Sequence, residues 1–130
     1  MTIPWNGIAA VGVGAALGAW LRWALGVMLN AIVPNLPLGT LAANLIGGYL
    51  IGVAAAIFTA YPTLPSEMRL FAITGFLGGL TTFSTFSGEA VALLARSQLA
   101  WAMAHIGAHL AGSLTMTWLG ILTVRWLKGA

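Results

Sequence analysis

Four long apolar stretches occupy nearly the whole chain, and this pattern decides what it can fold into. They run from about Trp5 to Ile32, Leu38 to Ala60, Met68 to Leu94 and Leu99 to Leu127. A bilayer's hydrocarbon core is about 30 Å thick, and a spanning helix needs about 20 mostly apolar residues, so each stretch is long enough. Pro34 and Pro37 interrupt the pattern after the first stretch, and Pro62 and Pro65 after the second. Proline lacks an N–H and restricts the residue before it, which marks helix breaks. Arg96-Ser97-Gln98 forms the third connection. Connections this short predict antiparallel neighbours. Strands of a membrane barrel would be about 10 residues long with alternating polarity, and these runs neither alternate nor stop so soon. The expectation is one domain over 1–130, an all-α membrane protein of four transmembrane helices.

Charge points the same way. Five Lys and Arg and two Asp and Glu make 5% of the 130 residues, too few to coat a soluble globule, where roughly 25% is usual. A net charge of +3 without a basic patch argues against nucleic acid as a partner. The absence of cysteine excludes disulfides, thiolate metal sites and Cys nucleophiles. No basic residue precedes the first apolar run, which is also too long for a cleaved signal peptide. Trp5, Tyr61, Trp101 and Trp126 fall near helix ends, where amphipathic rings prefer to sit. With four spans, Arg69, Arg125 and Lys128 share one side, and Arg96 lies on the other, joined by Arg22 if it snorkels outward. Three against two is a weak orientation signal. Either such a chain inserts both ways round, or another feature sets its topology.

Several polar features sit inside the apolar stretches. Gly14/Gly18, Gly48/Gly52 and Gly75/Gly79 have the spacing that lets helix backbones approach closely in lipid. Arg22 is either a buried cation with a partner or a snorkelling one. Asn44, near the middle of the second stretch, either ties helices together or donates to a passing species. The run Gly75-Phe76-Leu77-Gly78-Gly79-Leu80-Thr81-Thr82-Phe83-Ser84-Thr85-Phe86-Ser87-Gly88 is a poor helix sequence at mid-membrane depth. A break there is tolerated only where protein or water shelters the backbone, and its freed carbonyls suit a cation. The hydroxyls of Thr82, Ser84, Thr85 and Ser87 form a neutral polar track. Phe83 and Phe86, three apart, share a face, and the positive edges of phenyl rings can contact an anion. In the last stretch His105, His109, Ser113 and Thr117 recur every four residues and line one helix face. The two histidines could chelate a metal, but no acidic or Cys co-ligand is evident beside them, so no such site is expected. Glu89 reads as an interfacial or vestibule residue, with proton carriage the other reading. No catalytic constellation appears, and Gly12-Val13-Gly14 lacks the βαβ context of a dinucleotide site, so the chain is not read as an enzyme.

Three motifs in order make the chain resemble the fluoride channel family (Fluc, also called CrcB) over essentially its whole length. They are Gly14-Ala15-Ala16-Leu17-Gly18-Ala19-Trp20-Leu21-Arg22-Trp23, then Gly39-Thr40 with Asn44 and Gly47, then Gly75 to Phe86. The third is highly specific. The first departs mildly, since Trp23 stands where an aromatic Tyr often follows the Arg. The resemblance implies passive export of fluoride, which protects against its toxicity. It also implies an antiparallel homodimer with two pores, in a bacterial inner (plasma) membrane. Phe83 and Phe86 would be the aromatic box, Asn44 a pore donor, and Ser84, Thr85, Ser113 and Thr117 the hydroxyl track. Arg22, Thr40 and His109 would line a vestibule. The carbonyls of Gly78 and Thr81 from both subunits would hold a structural Na⁺. The rival reading is a small dual-topology proton-coupled multidrug antiporter, which needs a membrane-embedded carboxylate expected in the first span, where none stands. A third is an assembly subunit that transports nothing.

Overall fold

Three of the helical segments start directly after a proline. In the computed structural model, which describes residues 3–129, Pro4, Pro37 and Pro65 stand in extended conformation ahead of α1 (Trp5–Leu29), α2 (Leu38–Ala60) and α3 (Ser66–Arg69). α3 runs into a π-helical segment, Leu70–Leu77, and then α4 (Gly78–Leu80). α5 (Phe83–Ala95) and α6 (Leu99–Leu127) follow. The protein is an all-helical membrane protein with four helical passes, the third of them bent and broken. Trp5–Leu29, Leu38–Ala60 and the composite Ser66–Ala95 are long and apolar enough to cross a bilayer. α6 is the longest single helix at 29 residues, and His105, His109, Ser113 and Thr117 dilute its apolar character.

The connections explain where the helices stop. α1 ends at Leu29, short of the apolar run's end at Ile32, and the side chain of Asn30, the residue that follows, serves the next helix. Its Oδ1 accepts from the N–H of Gly39 (2.8 Å) and of Thr40 (3.2 Å), two of the donors a helix start leaves unpaired. After α5 the chain reverses through Ser97, which takes a left-handed φ of 58°. The N–H of Gln98 donates to the Leu93 carbonyl and that of Ser97 to Leu94, a Schellman closure with serine in glycine's usual place.

Glycines set the packing. A Cβ on Gly75 would lie 2.8 Å from the carbonyl of Val11, and one on Gly14 would run into the backbone of Phe71 and Phe76. α1 and the bent third pass are therefore in backbone contact, as the four-residue glycine spacing predicts. Gly48 and Gly52 bring α2 equally close to α6 at Ser113 and Thr117. The interior is small: Ala43, Leu77 and Leu80 form its centre. Leu110, Leu114, Trp20, Trp118 and Trp126 face outward. An apolar exterior around a small, tight interior suits lipid as solvent.

Candidate functional site

The third pass breaks at Thr81 and Thr82, where the backbone is extended (φ −84°, ψ 155° and φ −151°, ψ 116°). Broken backbone at membrane depth must have its polar groups satisfied by protein. Asn44 does this. Its Oδ1 accepts from the N–H of Thr82 (2.8 Å), and its Nδ2 donates to the Thr82 carbonyl (3.0 Å). The same Nδ2 lies 3.0 Å from Nδ1 of His109. Of the two readings of Asn44, the structure displays the tie between helices. Arg22 lies at the same break: its Nε donates to the Gly79 carbonyl (3.1 Å), a cation at the C-terminal end of a helical segment. It is a partnered cation and not a freely snorkelling one.

Helix resumes with a cap. The Thr82 hydroxyl accepts from the N–H of Thr85 (3.0 Å), so α5 begins as an N-capped helix inside the long apolar stretch. Its first turn carries Phe83, Ser84, Thr85 and Phe86. The rings of Phe83 and Phe86 lie 5.6 Å apart and are inclined at 59°. Phe83 is 80% exposed, and Ser84 and Thr85 are exposed beside it. Phe86 turns inward and packs on His105 (5.2 Å) and His109 (4.7 Å). A cleft of about 640 Å³ opens here, lined by Asn44, Phe83, Phe86, His109, Ser113 and Thr117, among others. The Thr117 hydroxyl reaches the carbonyls of Gly48 (2.8 Å) and Ser113 (3.0 Å). The structure thus gathers the aromatic pair, Asn44 and the lower part of the α6 polar stripe around one space. Gly78 and Thr81 lie at the break itself, and among the described residues no hydrogen bond to either carbonyl is found.

Arg22, Thr40 and Thr85 line a second cavity of about 320 Å³. Thr40 itself is buried, and its hydroxyl donates to Glu89 Oε2 (2.8 Å). His105 Nε2 lies 3.6 Å from Glu89 Oε1 and 3.3 Å from the Phe86 carbonyl. Reading the sequence placed Glu89 apart from the histidines; folding brings it against His105. A signal did exist. Thr40, Glu89 and His105 stand one helical turn from Asn44, Phe86 and His109 on α2, α5 and α6, so three polar positions move together by one turn.

The family model described as "CrcB-like protein, Camphor Resistance (CrcB)" matches residues 9–121. A protein of Nitrosospira multiformis named "Fluoride-specific ion channel FluC" is 66% identical over 120 residues, covering 92% of this chain and 94% of the relative. Proteins of the same name from Ralstonia nicotianae (64% over 121 residues, 93% and 96% covered) and Pseudomonas paraeruginosa (54% over 125 residues, 96% and 98% covered) are similar along their full length. With a capped helix break, a ring pair and a polar cleft in register with a match of this extent, the chain belongs to the CrcB/FluC family.

Proposed function

We propose that the protein is a fluoride-selective channel that releases fluoride passively from the cytoplasm. The observation that carries this reading is the start of α5: an N-capped helix end within an apolar span, flanked by two phenyl rings and a row of hydroxyls. A helix N-terminus presents N–H groups and a partial positive charge to an anion. Ring edges add positive potential without a formal charge. Small anions hold water tightly, so closely spaced uncharged donors must replace what is stripped away. A wide oily path would favour larger halides.

Phe83 and Phe86 then form the aromatic wall, and Ser84, Thr85, Ser113 and Thr117 supply hydroxyls. Asn44 reaches the ion with the N–H that otherwise faces His109, while its contacts with Thr82 hold the break. Arg22 draws anions toward the vestibule, where Thr40 lines the same cavity, and His109 faces the larger cleft. Hydrogen fluoride is neutral, crosses bilayers and ionises in a near-neutral cytoplasm, trapping the anion there. A negative interior drives fluoride out through a passive pore, by about 2.3 kcal/mol per charge per 100 mV.

One chain leaves this site open. Phe83, Ser84 and Thr85 face outward, and hydroxyls presented to lipid are unfavourable. A second copy inserted in the opposite sense covers them and makes two pores, which accords with the nearly even charge on the two sides. The four helices are then all membrane-crossing, and lipid is the remaining partner. The Gly78 and Thr81 carbonyls, which have no hydrogen-bond donor among the described residues, suit a hard cation and would hold a structural Na⁺ together with their counterparts in the second copy. Such an ion would supply positive charge to the carbonyls of the two helix breaks.

The test is fluoride efflux from liposomes containing the purified protein, read with a fluoride electrode and with chloride as control. Fluoride-selective efflux that ignores an imposed pH gradient is the expected result. Equal chloride efflux, or flux that follows protons, overturns the reading.

A further inference from the structure

Among the described residues, three buried polar atoms beside the cleft have no hydrogen-bond partner: Oε1 of Glu89, with His105 Nε2 3.6 Å away, Nδ1 of His105 and Nε2 of His109. His105 is 0% exposed and His109 4% exposed. Buried polar atoms in a folded protein nearly always have partners, so three orphans on neighbouring side chains point to an occupant. The donor set identifies its chemistry. Two imidazoles and one carboxylate suit a divalent cation of borderline softness, zinc above all, and not the hard cations that prefer oxygen alone. One ligand atom from each residue lies within 4.8 Å of the others. Ligand bonds of about 2.0–2.1 Å place tetrahedral donors about 3.3 Å apart, so contraction by about 1.5 Å assembles the site.

We propose that Glu89, His105 and His109 form a binding site for a zinc-class divalent cation, separate from the sodium carbonyls at the helix break. Glu89 connects it to the exterior. The carboxylate shares a hydrogen bond with Thr40, which lines the 320 Å³ cavity, and Arg22 in that cavity is held to the Gly79 carbonyl. The second shell fits in part. His105 Nε2 has the Phe86 carbonyl within reach, the kind of partner that orients a ligating imidazole. His109 has to adjust. The Asn44 amide group can only donate to Nδ1, which leaves the ring proton on Nε2. Ligation through Nε2 moves that proton to Nδ1 and releases the Asn44 contact. One hydrogen bond is a small loss against new metal–ligand bonds. Because Phe86 packs on both histidine rings, an occupied site also restrains Phe86. Where the proposed channel activity holds, zinc therefore slows fluoride efflux.

The chain has two histidines and no cysteine, which makes the assignment decisive. The experiment uses tag-free protein in detergent, titrated with Zn²⁺ by calorimetry, with Mg²⁺ as control, and examined by zinc-edge X-ray absorption. Expected are one Zn²⁺ per chain and imidazole scattering, which only His105 and His109 can produce. Glu89→Gln and His105→Gln should each weaken binding by more than about a hundredfold, since even outer-shell partners are worth about 10–100-fold. Binding no stronger than Mg²⁺, oxygen-only ligation, or unchanged affinity in both variants overturns the site. The wild-type measurements need no variant to fold. Zinc that binds without slowing efflux removes the inhibitory consequence, whereas absence of fluoride flux before zinc is added counts against the channel reading alone.

Discussion

Replacing Asn44 with alanine removes the two contacts that hold the backbone of Thr82 and the one to His109. An intramolecular hydrogen bond is worth about 0.5–1.5 kcal/mol net, and inter-helix bonds in membranes average about 0.6. An orphaned buried group would cost more, about 1–3 kcal/mol each. Thr82 is half-buried and a 640 Å³ cleft lies beside it, so water can reach the freed N–H and carbonyl. The lower scale applies, and the two Thr82 bonds sum to about 1–3 kcal/mol. At 1.4 kcal/mol per factor of ten, deuterium exchange at the Thr82 amide should accelerate about 5- to 150-fold. Amides in the middle of α2 should be unaffected. Asn44→Asp separates the parts, because it keeps an acceptor for the Thr82 N–H but turns the donor into a second acceptor facing a carbonyl. Its Thr82 amide should exchange more slowly than in Asn44→Ala, while fluoride efflux falls in both. Wild-type exchange at Thr82 in Asn44→Ala, in protein that elutes as wild type does, would refute the claim that Asn44 holds the break.

Further substitutions probe other contacts. Phe83→Ile or Phe86→Ile should reduce liposome fluoride efflux while leaving elution volume unchanged, and wild-type flux in both would remove the aromatic wall from the mechanism. Thr117→Val keeps shape but deletes the hydroxyl bonded to Gly48, so stability in detergent should fall by about 0.6 kcal/mol while efflux drops. Gly75→Val forces a Cβ to 2.8 Å from the Val11 carbonyl, where backbone has no room to yield; a loss of about 3 kcal/mol or more should appear as aggregated protein on size exclusion. Arg22→Met removes a charged donor from the Gly79 carbonyl, and about 1.5–3 kcal/mol of stability with it, measurable as a lower melting temperature.

How much of this arrangement could be read beforehand depends on whether the cause is local. Proline positions and apolar run lengths are local, and Pro4, Pro37 and Pro65 do precede helices. The glycine pairs are local as well: four-residue spacing creates a flat stripe on any helix, and Gly14, Gly18, Gly75 and Gly79 pack as that stripe requires. Weak helix formers between Gly75 and Gly88 announced a break, but not its register. Asn44 decides the register by offering one amide that matches one peptide group, at Thr82, from a position 38 residues away. No pattern within either segment encodes that match. The π-helical turn over Leu70–Leu77 is equally silent, because its composition is that of any apolar helix. It lies where the third pass packs against the glycine face of α1.

Glu89 is the instructive miss. Considered alone it is a carboxylate near a helix end, and His105 and His109 alone are a pair lacking an acidic co-ligand. The missing information was relative height. Once the break sets Thr82 beside Asn44, Phe86 falls next to His109, and one turn further on Glu89 must meet both Thr40 and His105. A single tertiary contact therefore determines two layers, an inner one of ring, amide and hydroxyl and an outer one of carboxylate and imidazole. The layers are mechanically linked through Phe86, whose ring belongs to the inner layer and whose carbonyl faces His105 in the outer. A change in the outer layer, whether by substitution or by a bound cation, therefore acts on that ring through its packing on His105.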